Sequence, residues 1–174
     1  MIPTVWDKLS GFPLYDVRLV SHEFTTYLRD YTVVTEQSAA DINGDSYIFA
    51  RYLYCFTHCV YVQISTALTD EIWHKSWPDS FLEFETWRSA GSPEGFAWWV
   101  RSSDAYRGFI FKPDSPLAAD WTNRLSQPMH ELLIETNTHN ITLVFNDVHI
   151  KKIAKGNPET KELISIDSSS GFVN

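Results

Sequence analysis

The apolar positions of this chain fall mostly in short runs separated by turn residues, and the runs predict strands more often than helices. "YDVRLVSHE" (residues 15–23) and the β-branched "TVVTE" (32–36) read as strands. In the longest apolar block, "YIFARYLYCFTHCVYVQISTAL" (47–68), Cys59 to Thr66 has strand composition. The first half is apolar on both faces and leans to strand. "SFLEFETWR" (80–88) alternates, with Leu82, Phe84 and Thr86 on one face and Phe81, Glu83, Glu85 and Trp87 on the other. "GFAWWVRSS" and "YRGFIFKP" suggest a hairpin joined near Ser103-Asp104. "ELLIETNTHNITLVFNDVHIKKIAK" (131–155) predicts antiparallel strands, turning at Asn137–Asn140 and again at Asn146-Asp147. "ELISI" (162–166) would add an edge strand.

Helical patterns are fewer. "DSPLAADWTNRL" (114–125) is the clearest, with Ser115 as N-cap, Pro116 at the first helical position and Leu117, Trp121 and Leu125 on one stripe. "TVWDKLSGF" (4–12) predicts a short turn of helix capped by Thr4 and ended near Gly11. In "FTTYLRDY" the spacing of Phe24, Tyr27, Leu28 and Tyr31 fits a helix face capped by Ser21. Pattern alone leaves 22–31, 47–57 and 128–136 open between helix and strand. The sum is an α+β fold, mainly antiparallel β-sheet with one to three short helices, in a single domain over 1–166 followed by a polar tail, 167–174.

Composition narrows the classes of function. The chain has 174 residues, 44% hydrophobic and 15% aromatic, so a sizeable core is available without staples. Its net charge of −8, with only 14 Lys and Arg, disfavours direct binding of nucleic acid, which needs cations to displace phosphate counterions. Without a signal peptide or an 18-residue apolar stretch, the expected setting is cytoplasmic, away from membranes, with reduced thiols and a monomer or weak dimer.

Chemistry-bearing motifs start and do not complete. Asp41, Asn43 and Asp45 open like a calcium loop, but its sixth, ninth and twelfth places hold Ser46, Phe49 and Tyr52, so a turn is expected. Cys55, His58 and Cys59 have metal-ligand spacing, with His74 as a conceivable fourth, yet lie in so apolar a segment that buried thiols are expected. His22-Glu23 and His130-Glu131 begin a zinc-protease motif whose second histidine is replaced by Thr26 and Ile134. "GSPEG" (91–95) is a loop and not a nucleophile elbow. No catalytic residue, cofactor or metal is assigned.

The segment from Asp70 to Glu94 stands out for its charge. It holds Asp70, Glu71, Asp79, Glu83, Glu85 and Glu94 against Lys75 and Arg88, a net of −4, along with Trp73, Trp77 and Trp87. Carboxylates interleaved with tryptophan suit a face that captures a basic protein, the acids steering and the rings anchoring. Asp70, Glu71, Trp77, Asp79, Glu83, Glu85 and Trp87 are the expected partner-binding residues. The expectation is a small acidic inhibitor, an immunity protein that occludes the active site of a basic nuclease-type toxin. Two alternatives come from other classes. One is a hydrolase or glycan-acting enzyme with Glu83 and Glu85 as a carboxylate pair about 7 Å apart along a strand. The other is an assembly subunit whose aromatics fill a subunit interface. The lysines at 151, 152, 155 and 161 suit a guarded edge strand.

Overall fold

The computed structural model describes residues 4–12, 17–40, 46–77, 84–95 and 103–153. The fold is α+β, as the pattern predicts. Among the described residues the strands are β1 (Val17–Phe24), β2 (Tyr31–Ala40), β3 (Ser46–Thr57), β4 (Tyr61–Thr66), β5 (Ser103–Lys112), β6 (His130–Thr136), β7 (His139–Phe145) and β8 (Asp147–Ile153). Four helices accompany them among the same residues: α1 (Val5–Ser10), α2 (Asp70–Ser76), α3 (Phe84–Ser89) and α4 (Pro116–Leu125). The strands form one sheet in the order β4-β7-β6-β5-β1-β2-β3-β8, and every pairing is antiparallel.

That order conceals a closure. β3 runs into β4 through residues 58–60, and β7 runs into β8 through Asn146 alone. β3 pairs with β8 while β4 pairs with β7, so two long bent strands lie side by side along their length. At the bend the ladder is continued by Val60 N–H to Val144 O at 2.9 Å and Asn146 N–H to Thr57 O at 3.0 Å. β3 also pairs with β2, and β7 with β6, so the ring is complete. Eight segments, two pairs of them continuous, make a six-walled barrel. The predicted turn at Asn146-Asp147 is therefore a bend that changes partners and not a hairpin.

Alternate residues of each wall fill the interior. Val17, Leu19, Val33, Tyr54, Phe56, Leu132, Ile134, Ile141, Leu143, Phe145 and Val148 form one buried cluster. β3 reads as apolar on both faces because both are buried, Tyr54 and Phe56 on one side and Leu53 and Cys55 on the other. α1 closes one end of the barrel. Thr4 and Asp7 form a capping box, Val5 and Leu9 enter the core, and Lys8 reaches Asp147 at the start of β8 at 2.7 Å.

α4 starts as predicted, with the Ser115 hydroxyl accepting from Ala118 N–H at 3.0 Å and Pro116 in the first turn. Ser115 and Lys112 also hold the buried carboxylate of Glu131. Leu117 and Trp121 pack on a small second cluster of Ala118, Met129 and Val144, but Leu125 is exposed, because the helix covers the barrel with its first two turns only.

Two expectations need correction, and one open segment is settled. "FTTYLRDY", left open between helix and strand, is a strand end, a turn and a strand start: Phe24 ends β1, Tyr31 begins β2, and the residues between them turn. Residues 84–89 are helical and not a strand, because a 3.6-residue period buries Trp87 while leaving Glu85 and Arg88 in solvent. Ser103 and Asp104 lie inside β5 and not at a hairpin tip, since the Asp104 backbone exchanges bonds with Asn137 across the sheet. "HELLIE" is strand β6. Residues 41–45, 96–102 and 154–174 lie outside the described residues, and with them the candidate calcium loop, the "AWWV" run, the "ELISI" strand and the polar tail. Among the described residues no helix is long and apolar enough to cross a membrane.

Candidate interaction surface

α2 is a seven-residue helix with no buried residue, which is unusual for an element that packing must hold in place. Its first turn carries Asp70 and Glu71, where the helix dipole favours negative charge, and its last turn carries His74 and Lys75. Lys75 lies 3.0 Å from Glu71 one turn away. The helix is fixed to the barrel through Trp73, whose indole N–H donates to the Thr66 hydroxyl at the end of β4 at 3.0 Å. Asp70, Trp73, His74 and Trp77 then line an open depression of about 470 Å³. Trp73 is 42% exposed and Trp77 82% exposed. The two rings lie side by side on one helix, next to the carboxylate of Asp70.

The seven expected partner-binding residues divide. Asp70, Glu71 and Trp77 come together on α2. Glu85 is exposed on α3 and lies 3.8 Å from Arg88. The loop after α3 reaches α2: a Cβ on Gly95, whose φ is +84°, would stand 2.9 Å from the Lys75 ammonium. Trp87 is the correction. It is fully buried, its indole N–H donating to Pro93 O at 3.0 Å, so it holds α3 and its loop together and does not face a partner. Asp79 and Glu83 lie outside the described residues. The glutamate pair of the enzyme reading loses its stated geometry, because it required 83–85 to be a strand and Glu85 is helical.

Next to α2, the mouth of the barrel holds a network that sequence reasoning missed. His22 of β1 and His139 of β7 face each other across the mouth, Nε2 to Nε2, at 3.1 Å. The outer nitrogens are held by hydroxyls: His22 Nδ1 lies 2.6 Å from Tyr31 Oη, and His139 Nδ1 lies 2.7 Å from Thr138 Oγ1. Thr136 fixes the hairpin beside them, its hydroxyl donating to His139 O at 2.6 Å and accepting from the N–H groups of Thr138 and His139. The two rings, Tyr31 and Thr138 form one hydrogen-bonded chain across the mouth. Burial keeps both imidazoles below their ordinary pKa, and His139 pushes His22 down further. Burial also raises the Tyr31 phenol to about 12, so this tyrosine stays protonated. These are neutral groups tying β1, β2 and β7 together at the mouth.

The β3–β4 bend is locked nearby. His58 adopts a left-handed conformation, φ +48°, and its N–H donates to the Asp30 carboxylate at 2.9 Å. Arg29 holds the same carboxylate through two bonds of 2.9 and 2.8 Å, and Cys59 N–H donates to Arg29 O at 2.7 Å. Both cysteines are buried, as expected, and burial raises the Cys59 thiol to about 12. Among the described residues no three or more His, Cys, Asp or Glu side chains gather as metal ligands.

No curated protein and no solved structure matches this chain. A family model described as "YxiG-like protein" matches residues 7–161, which takes in the whole barrel, α2 and α3. The chain belongs to the YxiG-like protein family.

Proposed function

We propose that this protein is a small acidic inhibitor that captures a basic protein partner, of the immunity type that neutralises a nuclease-type toxin by covering its active site. The observation that carries this reading is α2, a helix with no buried residue that presents Trp73 and Trp77 beside Asp70 and Glu71. An isolated helix of this length is unstable in water, so its persistence without core burial serves its outer face. The acids would pair with the Lys and Arg that a nuclease uses for phosphate, and the rings would seal those pairs from water. The net charge of −8 adds long-range attraction to such a target.

The test is inhibition. Basic nuclease toxin domains encoded in the same genome are assayed on DNA and RNA with rising amounts of this protein. Stoichiometric loss of nuclease activity that survives Glu85→Gln and fails in Trp77→Ala or Asp70→Lys supports the reading. Full nuclease activity across the panel at molar excess of the protein removes it.

A further inference from the structure

The turn between β1 and β2 carries two of the three most exposed large hydrophobic side chains among the described residues, the third being Trp77. Tyr27 is 91% exposed and Leu28 74% exposed. Leu28 also has φ +55°, a left-handed backbone that costs a leucine about 1 kcal/mol or more relative to glycine. An exposed leucine gains nothing from burial to offset that cost, and the turn does not need it there for the fold.

The turn is nevertheless rigidly built. Leu28 N–H donates to Thr25 O, and Thr25 N–H to Asp30 O, both at 2.8 Å. Asp30 and Arg29 then fasten its base to the β3–β4 bend through His58 and Cys59. Arg29, 61% exposed, is paired with Asp30 at 2.8 Å, so the turn carries no net charge and its apolar contribution is Tyr27 and Leu28. A rigid, strained and neutral tip bearing Tyr and Leu is preorganised for contact.

Its position says what it would contact. Trp73 bonds Thr66, Thr66 is the register partner of His139, His139 meets His22, and His22 meets Tyr31. Tyr31 stacks edge-on with Phe24, at 5.0 Å between ring centres, at the base of the turn. The tip and α2 therefore flank the same end of the barrel. Of the nine large hydrophobic residues exposed among the described residues, six sit at this end: Phe24, Tyr27, Leu28, Ile64, Trp73 and Trp77.

We infer that the β1–β2 tip is a second contact element of the same interface, with Tyr27 and Leu28 entering an apolar cavity of the basic partner while α2 supplies the charged contacts. This rests on the inhibitor reading and adds to it where the apolar contacts lie.

The test exploits the strain. Leu28→Gly removes the side chain and relieves the backbone, whereas Tyr27→Ala removes an exposed ring. Thermal midpoints and affinity for the nuclease domain inhibited in the panel above are measured for both, with Trp77→Ala alongside. The inference predicts midpoints equal to or above wild type in both variants, with affinity weaker by about 30-fold in each. Undiminished affinity in both tip variants, with loss in Trp77→Ala, overturns the tip and leaves the inhibitor reading standing. A lower midpoint in Leu28→Gly also overturns it, since the leucine would then serve the fold. A wild-type protein that binds no nuclease domain takes down both.

Discussion

Replacing Asp30 by alanine tests how the barrel mouth is held. The side chain is 6% exposed and accepts from the His58 N–H at 2.9 Å and from two nitrogens of Arg29. His58 is left-handed, so its N–H cannot turn to a strand neighbour when the carboxylate goes. Losing this part-buried bond to a charged acceptor costs about 1.5–3 kcal/mol. The Arg29 pair adds little, about 0–1 kcal/mol, because that guanidinium is 61% exposed. The sum is about 1.5–4 kcal/mol, or a midpoint lower by roughly 3–16 °C for a domain of this size. Asp30→Asn keeps an acceptor for His58 and loses only the charge, so it should cost about 1 kcal/mol. Urea denaturation followed by tryptophan fluorescence reads both. Acid adds an independent arm. Burial works to raise the Asp30 pKa, but Arg29 and the His58 N–H outweigh it and hold the carboxyl below its ordinary value. Its contribution is thus present above the ordinary aspartate range and lost as pH falls through the lowered folded value. An Asp30→Ala protein within about 0.5 kcal/mol of wild type, or an Asn variant as unstable as the Ala one, would refute the corner lock.

Other outcomes follow from the same structure. Glu36 is buried and held by Arg51 across the strand pair, with Arg18 at 3.9 Å, so Glu36→Ala should cost about 3–5 kcal/mol in urea by leaving Arg51 without its carboxylate. Trp87→Ala should cost about 3–5 kcal/mol, whereas Trp77→Ala should lie within about 0.5 kcal/mol of wild type, and equal costs in calorimetry would contradict the burial of one and the exposure of the other. His22, His130 and His139 are all held below the ordinary histidine pKa by burial. The unfolded chain then binds more protons below about pH 6.5, so the thermal midpoint should fall from pH 7 toward pH 5, and a flat profile would show that these rings are not buried neutral.

Much of the architecture was legible because local chemistry and tertiary packing agree. Ser115-Pro116 and Thr4 start their helices where the sequence puts them, the β-branched run at 32–36 lies in β2, and the run expected to be strand from Cys59 becomes strand at Tyr61, after the bend. What the pattern left open or misread has physical reasons too. Phe24 and Tyr31 are seven residues apart, which is two helical turns, and equally the separation of a strand pair around a six-residue turn. Period alone does not separate the two, and without Gly or Asn the turn carries no strong signal. Residues 84–88 alternate by accident of composition, and the buried Trp87 decides for a helix. The His22–His139 contact joins residues 117 apart in sequence, so nothing local announces it. The acidic character of α2 was legible in Asp70 and Glu71, but which tryptophans face outward is settled by packing, which puts Trp77 out and Trp87 in.

Under the proposed function, an exposed, acidic and aromatic end of the barrel holds a basic partner. The direct measurement is isothermal titration of the inhibited nuclease domain into wild type and into the Asp70→Asn, Glu71→Gln double variant, each at low and high salt. Wild type should bind tightly and weaken as salt rises, and the double variant should bind more weakly with a shallower salt dependence. Equal affinities and equal salt slopes for the two proteins would contradict it.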